Sequence, residues 1–216
     1  MIILSDLSEV LIHGIYGTQD ILLEDYGPEV AGVFWQTHIR TERVFHNLMR
    51  GKMSDREYWK LIYPGHPKMA RMVRKALSKN LHFEVPGTLG LYQEIQAHPE
   101  RLESSARMVA GMPEIWVASD HVREWAPLAI TFHPELGRLV ENFHWSYDYG
   151  MLKSDPGFFR SFLEKTGLGP REVLFIDDMP INVVAAEDAG IPSIVFYDAK
   201  SLKTSLIERG FCFDLF

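Results

Sequence analysis

The chain has 216 residues, 46% of them hydrophobic and 24% charged, and a formal charge of −7. That length suits one domain carrying an insertion, or one large and one small domain, with ample apolar material for a core. The negative balance, without any cluster of Lys and Arg, excludes a nucleic-acid surface, and no apolar run approaches the roughly 18 residues of a membrane span, so small molecules or proteins are the expected partners.

Met1 leads straight into an apolar run with no basic segment before it, so no signal peptide is expected. The single cysteine, Cys212, lies in the apolar tail Phe211-Cys212-Phe213 and reads as a packed, inert thiol, which fits a reducing cytoplasm. The opening stretch, Ile2 to Leu11, stops abruptly at Asp6 and resumes as Val10-Leu11-Ile12. Aliphatic residues without helical period predict a buried strand of a parallel sheet, with Asp6 at its C-terminal end. Ligands bind at that edge of an open α/β sheet, and a carboxylate there is costly to desolvate without a metal, a hydrogen-bond network or a reaction.

After the strand, Gly14 to Gly17 is expected to loosen the backbone, and residues 14–83 read as helices only. Ser54 and Glu57 have capping-box spacing ahead of Tyr58, Leu61 and Ile62, and Pro64 to Pro67 ends that helix. Met69, Met72, Val73, Ala76 and Leu77 then form one apolar helical face. A helical block behind the Asp6 strand predicts a cap over a site, with a core made of residues 1–13 and 84–216.

Strand and helix then alternate. A helical stretch from Leu89 to Val109, broken near Pro99, precedes the strand Ile115–Ala118, which ends on Ser119. Val122, Trp125, Ala126, Ala129 and Ile130 predict a helix face, and Val140 to Ser146 another strand. Ser154 or Asp155 before Pro156 predicts an N-cap and N1, opening a helix with Phe158, Phe159, Phe162 and Leu163 inward and Gly167 as its stop. Val173–Ile176 ends on Asp177-Asp178; a helix through Val183, Val184 and Ala186 ends at Gly190, and Ser193 to Tyr197 is the last strand. The alternation predicts a Rossmann-like, doubly wound α/β fold.

In such a sheet the four strand-end segments carrying Asp6, Ser119, Lys153 and Asp177-Asp178 face one crevice. Two or three carboxylates suit Mg²⁺, which prefers oxygen ligands and keeps waters for a substrate phosphate. Lys153 neutralises like charge and holds a phosphate oxygen, a Ser hydroxyl at a strand-to-helix turn contacts an anion, and the remaining Asp serves as nucleophile.

In order and spacing these segments resemble the four motifs of the haloacid dehalogenase-like (HAD) hydrolases, mostly Mg²⁺-dependent phosphatases acting through an aspartyl-phosphate. Ile3 to Ile12 is similar to the first motif, Trp116 to Asp120 to the second, Gly150 to Lys153 to the third and Phe175 to Asn182 to the fourth. The wording FIDDMPIN and RGKMSDREYW is most similar to the branch with a bacterial glucose-1-phosphate phosphatase and the N-terminal phosphatase domain of soluble epoxide hydrolases. The resemblance implies a helical cap inserted after the first strand, Asp6 as nucleophile, Ser119 and Lys153 as phosphate binders, Asp178 as direct Mg²⁺ ligand, Asp177 as a second or water-mediated one, and Ser8 as a ligand through its carbonyl. It implies a small phosphorylated metabolite as substrate and a monomer or homodimer.

Two positions depart from the pattern: Ser8 stands where these phosphatases usually carry a second Asp as general acid and base, and Asp120 adds a negative charge beside the phosphate position where many relatives have Asn. The stretch 96–113 is longer than a typical connection there. His13 near the hinge reads as a packing residue, Arg40 as a solvated helix arginine, and Phe34, Trp35, Phe45 and Trp59 as the core of the cap. Two rival readings stand beside the phosphatase. One is a dehalogenase using the same Asp, against which the acidic fourth motif argues; the other is a weakly active binding module.

Overall fold

The computed structural model describes residues 1–98, 113–211 and 213. Five strands, β1 (Ile2–Ser5), β2 (Glu114–Ser119), β3 (Val140–Trp145), β4 (Val173–Asp177) and β5 (Ser193–Val195), form one parallel sheet in the order β3-β2-β1-β4-β5. The first strand is thus the central one. Successive side chains of a strand point to opposite faces, so a strand covered on both sides must be apolar throughout. Ile3, Ile115, Val117, Leu174 and Ile176 pack on one face, and Ile2, Leu4, Ala118, Val173 and Phe175 on the other.

Helices α6 (Thr88–Ala97), α7 (Ala126–Phe132) and α12 (Ala199–Ile207) cover the first face, and α10 (Phe158–Thr166) and α11 (Pro180–Asp188) the second. Phe158, Phe159 and Phe162 of α10 are the anchors of that second layer; burying each stabilises by about 1.5–3 kcal/mol. The short helix α8 (Leu136–Leu139) precedes β3, and α9 (Ser146–Tyr149) lies between β3 and α10.

The predicted helical block is five helices: α1 (Thr18–Tyr26), α2 (Pro28–Arg40), α3 (Glu42–Met49), α4 (Asp55–Ile62) and α5 (Pro67–Asn80). The capping box forms, with Ser54 Oγ accepting from the Glu57 amide and Glu57 reaching back to the Ser54 amide. Its aromatic interior joins Phe45, Tyr58, Trp59 and Tyr63, with Trp125 of the core stacked on Trp59 at 6.0 Å.

Gly14 and Gly17 permit close approach, since a Cβ on Gly14 would meet Ser8 at 2.9 Å and one on Gly17 would meet Asn80 at 2.5 Å. Two expectations need correcting. Pro156 is not N1: α10 starts at Phe158, because Asp155 Oδ2 is drawn back onto the Leu152 amide (2.8 Å) and the Asp155 carboxylate is gripped by Arg50. Val122 and Trp125 precede α7 and pack into the cap cluster instead of the helix face. The 89–109 helix is described as α6 only; its remainder, most of the long 96–113 stretch, and Cys212 lie outside the described residues.

Candidate active site

Parallel pairing of β1 with β2 and β4 brings three strand ends to one edge, and the chain places its carboxylates there. Asp6 follows β1, held by its amide on the Ile176 carbonyl (2.8 Å), and its Oδ1 accepts from the Leu7 amide (2.7 Å). Asp177 ends β4; its Oδ1 accepts from the Met179 amide (2.8 Å) and from Asn182 Nδ2 (3.1 Å). Asp178 follows, and oxygens of Asp6, Asp177 and Asp178 lie within 4.8 Å of one another.

Lys153 reaches this group from farther away than a strand end. It sits in the turn after α9, fully enclosed at 1% exposure, and Nζ is 2.6 Å from both Asp6 Oδ1 and Asp177 Oδ2. Burial opposes its charge, but Asp177, Asp6 and Asp120 outweigh that and hold its pKa above the ordinary lysine value. Its own amide donates to Asp120 Oδ1 (2.9 Å), so the extra carboxylate positions the lysine loop.

The carboxylates show the cost of this crowding. Burial pushes Asp6 well above its ordinary value; Lys153 pulls it down, and Asp177 and Asp178 push it further up. Asp178 is pushed up to about 6, by burial and then by Asp177. Asp120 likewise rises to about 6 through burial. A cluster of this kind needs added positive charge to be fully ionised at neutral pH.

A cavity of about 370 Å³ opens over it, between core and cap. Its floor is Asp6, Ser8, Asp120, Lys153 and Asp178; its roof is Tyr16, Phe45, Met49 and Leu77 of the cap side; and Val122 and Trp125 close one wall. Phe45 is thus both cap core and cavity wall. Ser119 is 0% exposed, does not line the cavity, and its Oγ has no partner. Glu9, the residue after Ser8, adopts φ +61°, and its carboxylate accepts from the Gly14 amide (2.8 Å) and meets His13 Nδ1 at 3.2 Å. Arg40 is exposed and away from the cavity.

Sequence reasoning missed the struts that hold cap to core. Arg50, at the end of α3, grips Asp155 through two bonds of 2.7 and 2.6 Å, two residues from the catalytic lysine candidate. Buried Asp55 accepts from Trp59 Nε1 (2.5 Å) within the cap and from Trp125 Nε1 (2.8 Å) in the core, and pairs with Arg74 at 3.0 Å. Asn182 was read only as part of a motif, yet its amide fixes Asp177. An Asn one helical turn after an Asp pair was the available signal.

The fold is that of the HAD hydrolases. A HAD-family enzyme of Bacteroides thetaiotaomicron superimposes with a TM-score of 0.67 at 19% identity, over 94% of this chain and 97% of that one. The same enzyme, solved with magnesium and inorganic phosphate, gives 0.61 at 19% identity over 91% and 94%. L-2-haloacid dehalogenase of Xanthobacter autotrophicus gives 0.60 at 14% identity over 95% and 82%. In sequence, flavin mononucleotide hydrolase 1 of Arabidopsis thaliana is 36% identical over 61 residues, which are 28% of this chain and 25% of that protein. The chain therefore matches only a quarter of the length of that relative. No family model matches.

Proposed function

We propose that this chain is a Mg²⁺-dependent phosphatase that works through an aspartyl-phosphate on Asp6. The observation that supports this most is the buried Lys153 amine set between Asp6 and Asp177, with Asp178 completing a three-carboxylate group. The donor set is all oxygen and negatively charged, which suits Mg²⁺; Asp6, Asp178, Asp177 and the Ser8 carbonyl would hold it. The ion supplies charge neutralisation and orientation of phosphoryl oxygens.

The chain's own groups do the rest. Asp6 Oδ1 is committed to Lys153 and the Leu7 amide, which leaves Oδ2 to attack phosphorus as the bond to the leaving oxygen breaks. Lys153 stabilises the charge spread over the transferring group. Water then hydrolyses the acyl phosphate and regenerates Asp6. With Ser8 in place of the usual acid and Glu9 engaged by His13 and Gly14, the leaving oxygen has little help with its proton, which favours substrates with good leaving groups.

The dehalogenase reading uses the same Asp6, and a dehalogenase shares this fold. The acidic pair after β4 and the crowding that raises Asp6 and Asp178 favour the phosphatase. The aromatic walls at Tyr16, Phe45 and Trp125 suit a planar leaving group, and the Arabidopsis relative is named for hydrolysing a flavin phosphate. The test is phosphate release from aryl phosphates, flavin mononucleotide and sugar phosphates with Mg²⁺ or EDTA. Wild type should turn over only with Mg²⁺, and Asp6→Asn should lose about 10⁴-fold or more in kcat. Beryllofluoride with Mg²⁺ should raise the Tm of wild type and leave Asp6→Asn unmoved. Release of halide from 2-haloacids in EDTA, with no phosphate released, would replace this reading by the dehalogenase.

A further inference from the structure

The chain gathers ligand-type side chains a second time, away from the cavity. Glu84 lies where the chain returns from cap to core, His133 follows α7, and Glu135 precedes α8; one ligand atom from each lies within 4.8 Å of the others. His133 is 2% exposed, and its Nε2 is 2.7 Å from the Leu81 carbonyl. A carbonyl only accepts, so Nε2 donates to it, and Nδ1 is the ring nitrogen left to bind a metal. Nδ1 faces Glu135 Oε1 at 3.4 Å and Glu84 Oε1 at 3.6 Å.

A ring nitrogen facing two carboxylates makes a place for a cation, either a proton or a metal ion. The spacing suits the metal ion. Hydrogen bonds from nitrogen to oxygen run about 2.7–3.2 Å, and both distances exceed that. Tetrahedral zinc, with bonds of about 2.0–2.2 Å to His nitrogen and carboxylate oxygen, sets its ligand atoms about 3.4 Å apart. A ligating histidine whose other N–H donates to a backbone carbonyl is also the usual support of such a site. An imidazole selects a transition ion over Mg²⁺ or Ca²⁺, which prefer oxygen alone.

We propose that Glu84, His133 and Glu135 bind one Zn²⁺-class ion, with water in the fourth position. The site lies on the joint of the molecule. His13 donates to the Phe83 carbonyl (2.8 Å) and Val85 to the Leu11 carbonyl (2.9 Å), so the two segments linking cap and core run side by side there. The ion ties the returning segment to the turn between α7 and α8. Glu84 and Glu135, with side chains 49% and 33% exposed, give it a way in.

The experiment titrates Co²⁺ into chelator-stripped full-length protein in excess Mg²⁺, which occupies the oxygen-only cluster. Tetrahedral Co²⁺ absorbs strongly in the visible and six-coordinate Co²⁺ weakly. One equivalent should give the strong band, displaced by Zn²⁺, in wild type and Asp178→Asn alike. Glu84→Gln and Glu135→Gln, both at the surface and so able to fold, should lose it. Zn²⁺ at a hundredfold excess over Kd should raise Tm by about 5–10 °C in wild type and not in these variants. No strong band, or a Zn²⁺ shift that survives in Glu84→Gln, overturns the proposal. So does a protein indifferent to Zn²⁺ whose Tm falls as pH rises through the histidine range in wild type but not in Glu135→Gln, because the cation would then be a proton.

Discussion

The molecule brings three ligand-type side chains together twice, and the two groups differ in what balances their charge. At the sheet edge the balancing cation is part of the chain: the Lys153 amine touches Asp6 and Asp177 at 2.6 Å each. At the joint a histidine ring faces its two carboxylates at 3.4 and 3.6 Å, and the cation proposed to balance them comes from solution. A fixed amine makes the first group's stability depend on a residue, whereas an imidazole makes the second depend on what is dissolved around it. The first group's cation is buried, whereas the second's carboxylates are partly open to solvent.

The contrast breaks most visibly at Lys153. Lys153→Met leaves Asp6 and Asp177 buried without their cation, and removing one partner of a buried pair costs about 3–5 kcal/mol. The denaturant midpoint should fall accordingly at unchanged m. Mg²⁺ should recover part of the loss, because the same carboxylates would hold it. A variant as stable as wild type would mean that the lysine is not what neutralises the group.

A smaller effect sharpens the same side. Asp178 and Asp120 keep their protons up to about pH 6 in the folded state, whereas the unfolded chain releases them near the ordinary value of 3.8. A pKa raised on folding stabilises fully below the unfolded value and is lost as pH rises through the folded one. Thermal unfolding in EDTA should therefore show a decline between about pH 4 and 6 that is shallower in Asp178→Asn. Saturating Mg²⁺ should remove the difference between the two proteins. Identical profiles in EDTA would put Asp178 outside the coupled cluster.

The smallest effect belongs to the joint. Glu84→Gln, at an exposed side chain, should change stability by no more than about 0.5 kcal/mol in metal-free buffer. A loss comparable to that of Lys153→Met would make the joint a permanent ion pair and erase the distinction.

Much of this architecture was legible because the signals are local. Three of the five strands announce themselves as apolar runs that stop at Asp6, Ser119 or Asp177-Asp178, and Ser54 with Glu57 names its own helix start. What escaped is long-range. Asp155 looks like an N-cap until Arg50, 105 positions earlier, takes its carboxylate. Asp55 is the node shared by Trp59, Trp125 and Arg74. Lys153 reads as a strand-end residue because its motif follows a strand, but α9 and a turn intervene. His133 carried no pattern at all: its partners Glu84 and Leu81 come from the other side of the joint.

The place of β1 in the sheet has a consequence for how the protein is made. Among the described strands β1 comes before its partners in chain order and is the central one, yet its neighbours begin at Glu114 and Val173. Until β4 emerges, one edge of β1 lacks its partner, and Asp6 lacks both the Ile176 carbonyl that holds its amide and the Asp177 that shares its lysine. Such non-local pairing is slow to form, and unpaired strand edges on a nascent chain invite aggregation. Helices α1 to α5 make many of their contacts among themselves and are complete long before the sheet closes. Biosynthesis therefore delivers the helical block before Asp120, Lys153 and Asp178 of the cavity floor.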